Sequence, residues 1–209
     1  MDNMMKFFID FPSISGTAAA AILLTLAIAG CAPYKYQSEA SYSASTVDVQ
    51  KYSDDWFAAA RAGRTDILQA LIDAHFPIDA STPDGYTALI LSAYDAHPDA
   101  LKLLLSAGAN ACAADRHGNT ALMGALFKGE KDIAMTLLDT HCDIDQVNNA
   151  GETALSFAAL FGRLDMIPVL VAHGANPNHV DARGGTALQM AISQYNTAAA
   201  EALKRVGAT

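Results

Sequence analysis

Basic residues are scarce in this chain, and that scarcity narrows its partners. Thirteen lysines and arginines face 22 aspartates and glutamates, for a net charge of −9 and an isoelectric point near 4.9. Phosphate-backbone contacts therefore cannot supply the main affinity, which argues against nucleic acid as a partner. Aromatics are few, at 8% of residues with a single tryptophan. A core of alanine and leucine at close backbone approach is implied. The apolar run Ala18–Ala29 is 12 residues long, short of the roughly 20 that a membrane span needs. No Gly-x-Ser-x-Gly elbow and no glycine-rich phosphate loop with a lysine occurs. The six histidines at 75, 97, 117, 141, 173 and 179 include no i, i+4 pair. No metal site, cofactor or catalytic constellation is expected, and the chain is not read as an enzyme.

What the chain does contain is a repeated word. Gly85-Tyr86-Thr87-Ala88-Leu89 recurs as Gly118-Asn119-Thr120-Ala121-Leu122, Gly151-Glu152-Thr153-Ala154-Leu155 and Gly184-Gly185-Thr186-Ala187-Leu188, with each glycine 33 residues after the last. A fixed period of this length predicts a solenoid of small stacked helical units. Within each copy the glycine suits a tight finger and the threonine suits the N-cap of a first helix. Asp66, Asp99, Asp132 and Asp165 keep the same period and fall near the start of each second helix, where a carboxylate meets the positive end of the dipole.

The repeats resemble the ankyrin family. The unit carrying Asn148, Gly151, Thr153, Leu155, Ala158, Ala159, Gly162, Leu170-Val171 and Gly174-Ala175-Asn176-Pro177-Asn178 matches best. Leu71-Ile72, Leu104-Leu105 and Leu137-Leu138 keep the register of its leucine pair, with Trp56 replacing leucine in a degenerate first unit. The resemblance implies an all-α solenoid of helix-turn-helix units with β-turn fingers over residues 51–209. Full units are expected at 82–114, 115–147 and 148–180, between half-polar caps at 51–81 and 181–209. Alanine stands where the family has proline at the first helical position, and Ile90, Met123, Ser156 and Gln189 stand where it has histidine. Only Thr186 and Gln189 are expected to form a reciprocal capping box.

The N-terminal segment follows different rules. The apolar run leads through Ile28-Ala29-Gly30 into Cys31 and resembles the lipobox of bacterial lipoprotein signal peptides. That resemblance implies a signal peptide over 1–30, cleavage before Cys31 and its modification with acyl chains, palmitate among them. Several chains give stable anchoring where one is marginal. Cleavage would remove Lys6, Asp2 and Asp10, one basic and two acidic residues, leaving a net charge of −8. Ala32 after the cysteine, rather than aspartate, points to the outer membrane, with the folded part in the periplasm. Residues 31–50, rich in serine and tyrosine without helical or alternating period, read as a flexible tether.

Two further expectations concern the solenoid. Cys112 and Cys142 would be joined by an oxidising compartment, but a repeat spacing of roughly 10 Å exceeds the 7 Å limit for a disulfide, so two small buried thiols are expected. In the family the two residues before the inter-helix glycine point outward on the concave face. Here they are Tyr94-Asp95, Phe127-Lys128, Leu160-Phe161 and Ser193-Gln194. Tyr94, Phe127 and Leu160 would form an apolar ladder, unless these side chains fold between helices as core. Tyr86, Arg116, His117, Asn149, Glu152 and Arg183 would add a polar rim at the fingertips. The expected function is capture of another protein by a monomer tethered through its lipid, either as a scaffold for a periplasmic partner or as an immunity-type inhibitor that occludes a toxic enzyme.

Overall fold

The structure, a computed structural model, describes residues 48–209; the lipobox, Cys31 and nearly all of the stretch read as tether lie outside them. Ten helices form five pairs among the described residues: α1 (Val49–Arg61) with α2 (Thr65–Asp73), α3 (Ala88–Tyr94) with α4 (Pro98–Ser106), α5 (Ala121–Lys128) with α6 (Lys131–Leu138), α7 (Ala154–Leu160) with α8 (Met166–Ala172), and α9 (Ala187–Ser193) with α10 (Thr197–Arg205). None is long and apolar enough to cross a membrane. Helix α1 opens at Val49, inside the segment read as tether, because Asp48 accepts the Lys51 N–H and caps it.

Helices of seven or eight residues do not persist alone in water, so capping and stacking must hold them. Thr87, Thr120, Thr153 and Thr186 each accept the backbone N–H three residues on at 3.2–3.3 Å. Loss of such a cap costs about 1 kcal/mol. Gln189 returns a bond to the Thr186 N–H as expected, and Ser156 does the same for Thr153 at 3.4 Å. A serine hydroxyl is thus long enough to close the box. The second helices behave differently, except α10, where the Asn196 side chain accepts the Ala199 N–H at 3.1 Å. Asp66, Asp99 and Asp132 lie in the first turn and Asp165 at the N-cap position, yet none caps by a side-chain hydrogen bond. They face the dipole, and two take cations: Asp66 pairs with Arg64 at 2.6 Å and Asp165 with Lys131 at 2.7 Å. All four partners are well exposed, so these pairs add little stability.

The core is one continuous cluster from Trp56 to Ala208. Alanines 88, 93, 121, 125, 154, 158 and 191 bury the inner side of the first helices, and Leu68, Leu101, Leu104, Ile133, Ile167, Leu170 and Leu203 fill the layer beneath. Small side chains let the first helices of neighbouring units approach more closely than the second helices do. In a solenoid, closer packing on one side sets the direction of curvature, and here that side is the one of the first helices. Trp56, in the leucine register, is fully buried 5.0 Å from the Phe76 ring, and its indole N–H has no partner.

Fingers join the units on one edge. Thr82, Asp115, Asn148 and Asp181 stand 33 residues apart, and each side-chain oxygen accepts the N–H four residues on at 2.8–3.1 Å. Consecutive fingers bond through their backbones: Arg116 N–H to Asp84 O at 2.8 Å, Asn149 N–H to His117 O at 2.8 Å and Ala182 N–H to Ala150 O at 3.0 Å. Gly151 sits in this seam at φ +75°, where a Cβ would lie 2.5 Å from the Ala182 nitrogen.

One expectation fails outright. Cys112 and Cys142 form a disulfide with Cα atoms 5.3 Å apart, and both residues are only half-buried. The 33-residue spacing misleads here because each loop runs towards the next unit before turning into its finger. Residues 31 apart therefore meet at the junctions, as Asp79 with Asn110, Asp145 with Asn176 and Asn178 with Thr209 do at 2.8–3.0 Å. A separation of 30 falls beside that contact.

Candidate functional site

The inner face carries aromatic rings in contact along the stack. Tyr94, on the last turn of α3, stacks on Phe127 of α5 with centroids 5.8 Å apart and planes 10° from parallel. Phe127 meets Phe161 edge-to-face at 4.7 Å, and Phe161 meets the buried Phe157 at 5.6 Å. Such pairs contribute about 0.5–1.5 kcal/mol each beyond area burial. The third rung is Phe161, at the C-cap of α7, rather than Leu160. Leu160, one repeat after Phe127, is half-buried and takes no part in the ring contacts. Tyr94, Phe127 and Phe161 are all half-buried, with Phe127 and Phe161 resting on the core. Each ring is thus in contact with its neighbours along the stack while keeping part of its surface exposed. In the fifth unit Ser193 and Gln194 are exposed, and the ladder ends.

Charges border the rings. Lys128, fully outside the core, places its ammonium 4.7 Å from the Tyr94 centroid. Burial raises the Asp95 carboxyl above its ordinary value, against the pull of Arg61 and Lys128. Tyr94 is raised by burial and then by Asp95, and Tyr86 by burial and then by Asp115 and Asp84, so both phenols stay neutral near pH 7 and can donate hydrogen bonds.

The fingertip residues separate into rim and wall. Arg116 is exposed and pairs with Asp84 at 2.9 Å; Asn149 is exposed and donates to Arg116 O at 3.0 Å; Arg183 is exposed and pairs with Asp181 at 3.0 Å. His117 and Tyr86 are half-buried. Glu152 does not belong to the rim. It is 2% exposed, accepting from Asn148 at 3.1 Å and from Arg183 at 3.5 Å, because its alternation along the finger turns it towards the neighbouring unit. The carboxylate is a tie between fingers.

One periodic position escapes a motif reading. His97, Arg163 and Asn196, each where a second helix begins, reach back to carbonyls at the end of the previous unit's first helix: Arg61 O at 2.7 Å, Leu126 O and Phe127 O at 2.8 and 2.6 Å, and Ala159 O at 3.5 Å. Orphan carbonyls there are satisfied across the junction. Glu130 holds this register, and its carboxylate side chain has no N–H to give. The signal in the sequence is a side-chain donor recurring at intervals of 33, which composition conceals because the residue type changes each time. The bond from Arg163 holds the Phe127 carbonyl, and with it the middle rung.

Chemically the site offers ring faces, a phenol, a carboxylate and an ammonium without a nucleophile–base pair. Among the described residues no group of three or more histidines, cysteines or carboxylates is placed to hold a metal ion. Comparison with known proteins matches two family models, both described as ankyrin repeats, over residues 56–148 and 137–191. No curated protein matches the chain.

Proposed function

Because the chain belongs to the ankyrin-repeat family, whose units commonly mediate protein–protein interaction and are typically without catalysis, we propose that it is an envelope-anchored module that captures a periplasmic protein on its inner face. The observation that carries this reading is the half-buried ladder of Tyr94, Phe127 and Phe161, edged by Lys128 and Asp95. Aromatic anchors with one face already packed lose little freedom on binding, and such residues dominate interface energetics. The solenoid acts as a monomer, with Arg116, Asn149 and Arg183 as a polar rim.

Place is read from the lipobox-like Ile28-Ala29-Gly30-Cys31, with Cys31 as the lipidated residue and the outer membrane as destination. The disulfide supports an oxidising compartment, where such bonds persist. The test is capture from crosslinked cell envelopes with the tagged full chain. One defined protein should be recovered by the wild type and lost when Tyr94, Phe127 and Phe161 are changed to serine. Undiminished recovery by that triple variant would overturn the assignment of the face.

A further inference from the structure

Four junctions connect the five units, and three are closed by the same bond. The Asp79 carboxylate accepts the Asn110 N–H at 2.8 Å, Asp145 accepts Asn176 N–H at 3.0 Å, and the Asn178 amide oxygen accepts Thr209 N–H at 2.8 Å. In this register the remaining junction, between the units of α3–α4 and α5–α6, has Cys112, whose side chain offers no oxygen; its backbone carbonyl instead accepts the Gln146 side-chain N–H at 3.1 Å. The disulfide to Cys142 takes the bond's place.

The loop that receives the disulfide is also the one that departs from the repeat. After α2, α4, α8 and α10 the chain turns through a left-handed residue, at His75, Gly108, Gly174 and Gly207. The next N–H then bonds back to the second helix, from Phe76 to Leu71, Ala109 to Leu104, Ala175 to Leu170 and Ala208 to Leu203, all at 2.9–3.1 Å. Phe76, Ala175 and Ala208 are buried and Ala109 is half-buried. After α6 neither feature occurs. His141 is not left-handed, and the Leu137 carbonyl is taken by the N–H and hydroxyl of Thr140. Helix α6 ends one residue before the repeat would place its end. A cavity of about 140 Å³ lies beneath, lined by Met123, Leu137, Leu138, Thr140, Cys142 and Ile144 among others.

Neither the histidine nor β-branching accounts for the departure. Histidine takes the left-handed turn at position 75, and the valine at 206 shows that a β-branched residue is accepted where Thr140 stands. What distinguishes this loop is its tie to Cys112, together with the Thr140 hydroxyl on Leu137 O.

We propose that Cys112–Cys142 is a reducible latch: it closes the one junction that lacks the acceptor side chain found at 79, 145 and 178, and it holds residues 139–143 out of the left-handed turn that the other units adopt. The reductant is a protein or small-molecule dithiol. Its thiolate attacks one sulfur of the half-buried pair, a mixed disulfide forms, and the other cysteine leaves as a thiolate that takes up a proton. The second thiol of the reductant then attacks the mixed disulfide and releases the remaining cysteine. Two electrons pass to the pair and the dithiol becomes a disulfide. Once freed, His141 turns left-handed, the Cys142 N–H bonds to Leu137 O, and the Cys142 side chain enters the space beneath the loop. The junction loses its covalent tie while the loop gains regular structure.

The test is amide hydrogen exchange on the full chain, with Cys31→Ser in every arm so that only this pair responds. Reduction by a dithiol under native conditions should slow exchange at Cys142 by about tenfold or more, while the amides of Phe76, Ala109 and Ala175 stay as they are. Cys112→Ser should show the slow amide without reductant. Cys112→Asp should show it too and, by restoring the acceptor found at 79 and 145, should protect the Asp143 amide as well. If the Cys142 amide exchanges equally fast in the oxidised, reduced and Cys112→Asp proteins, the disulfide does not hold the loop out, and the proposal fails. It fails equally if the bond resists a dithiol until the whole chain unfolds, since it is then a staple and not a latch.

Discussion

A paired glycine substitution isolates how tightly the fingers are sealed. Gly151 and Gly184 hold the same place in successive repeats and share left-handed backbone, at φ +75° and +83°. Alanine at either pays the conformational cost of that region, about 1 kcal/mol after allowing for the lower entropy of the unfolded chain. The surroundings then differ. At Gly184 nothing lies within 4 Å of the added Cβ, whereas at Gly151 it would meet the Ala182 nitrogen at 2.5 Å and the Asp181 carbonyl carbon at 3.1 Å. These are backbone atoms, so the fingers must part, and the 3.0 Å bond from Ala182 N–H to Ala150 O goes with them. Overpacking adds about 1–2 kcal/mol and the lost bond about 1 kcal/mol. Gly184→Ala should therefore cost about 1 kcal/mol and Gly151→Ala about 3–4 kcal/mol, a gap of several degrees in melting temperature. Equilibrium urea unfolding of the two single variants, followed by far-ultraviolet circular dichroism, reads the difference directly, provided the slopes agree. Costs equal to within about 0.5 kcal/mol would show that the seam yields freely, and the close approach would carry no stability.

Three further outcomes follow from the same structure. Changing Tyr94 alone to serine should abolish partner capture while lowering stability by no more than about 1–2 kcal/mol, since the ring is only half-buried; unfolding of that variant at room temperature would make the ladder core. Asp181 is pushed up by burial but pulled further down by the N–H groups of Gly185 and Arg183 and by the Arg183 guanidinium, so its pKa lies below the ordinary 3.8. The stability it contributes should be complete above that value and lost as pH falls through its folded pKa. Asp181→Asn should flatten the acid limb of the stability curve, and an unaltered limb would remove Asp181 from that role. Cys31→Ala should abolish palmitate labelling and membrane association together, and persistence of labelling would refute the lipid anchor.

Much of this molecule is written in an interval. The recurrence of Gly-x-Thr-Ala-Leu every 33 residues announces a solenoid because a helical unit of that size cannot bury its own faces, and identical words must then occupy identical environments. The threonine caps, the finger residues and the buried alanines are legible for that reason: each depends on neighbours within its own copy or at one whole repeat. Intervals also account for what was missed. The Cys112–Cys142 bond joins residues 30 apart, the junction bonds join residues 31 apart, and the carbonyl caps of His97, Arg163 and Asn196 reach back 36 or 37. These contacts depend on how far each loop leans towards its neighbour, a quantity that no single repeat contains. The face of Glu152 and the choice of Phe161 over Leu160 as the third rung are of the same kind. Local chemistry determined the units and their order, while the offset between stacked units, settled only when alanine-lined helices close on one another, decided which side chains meet.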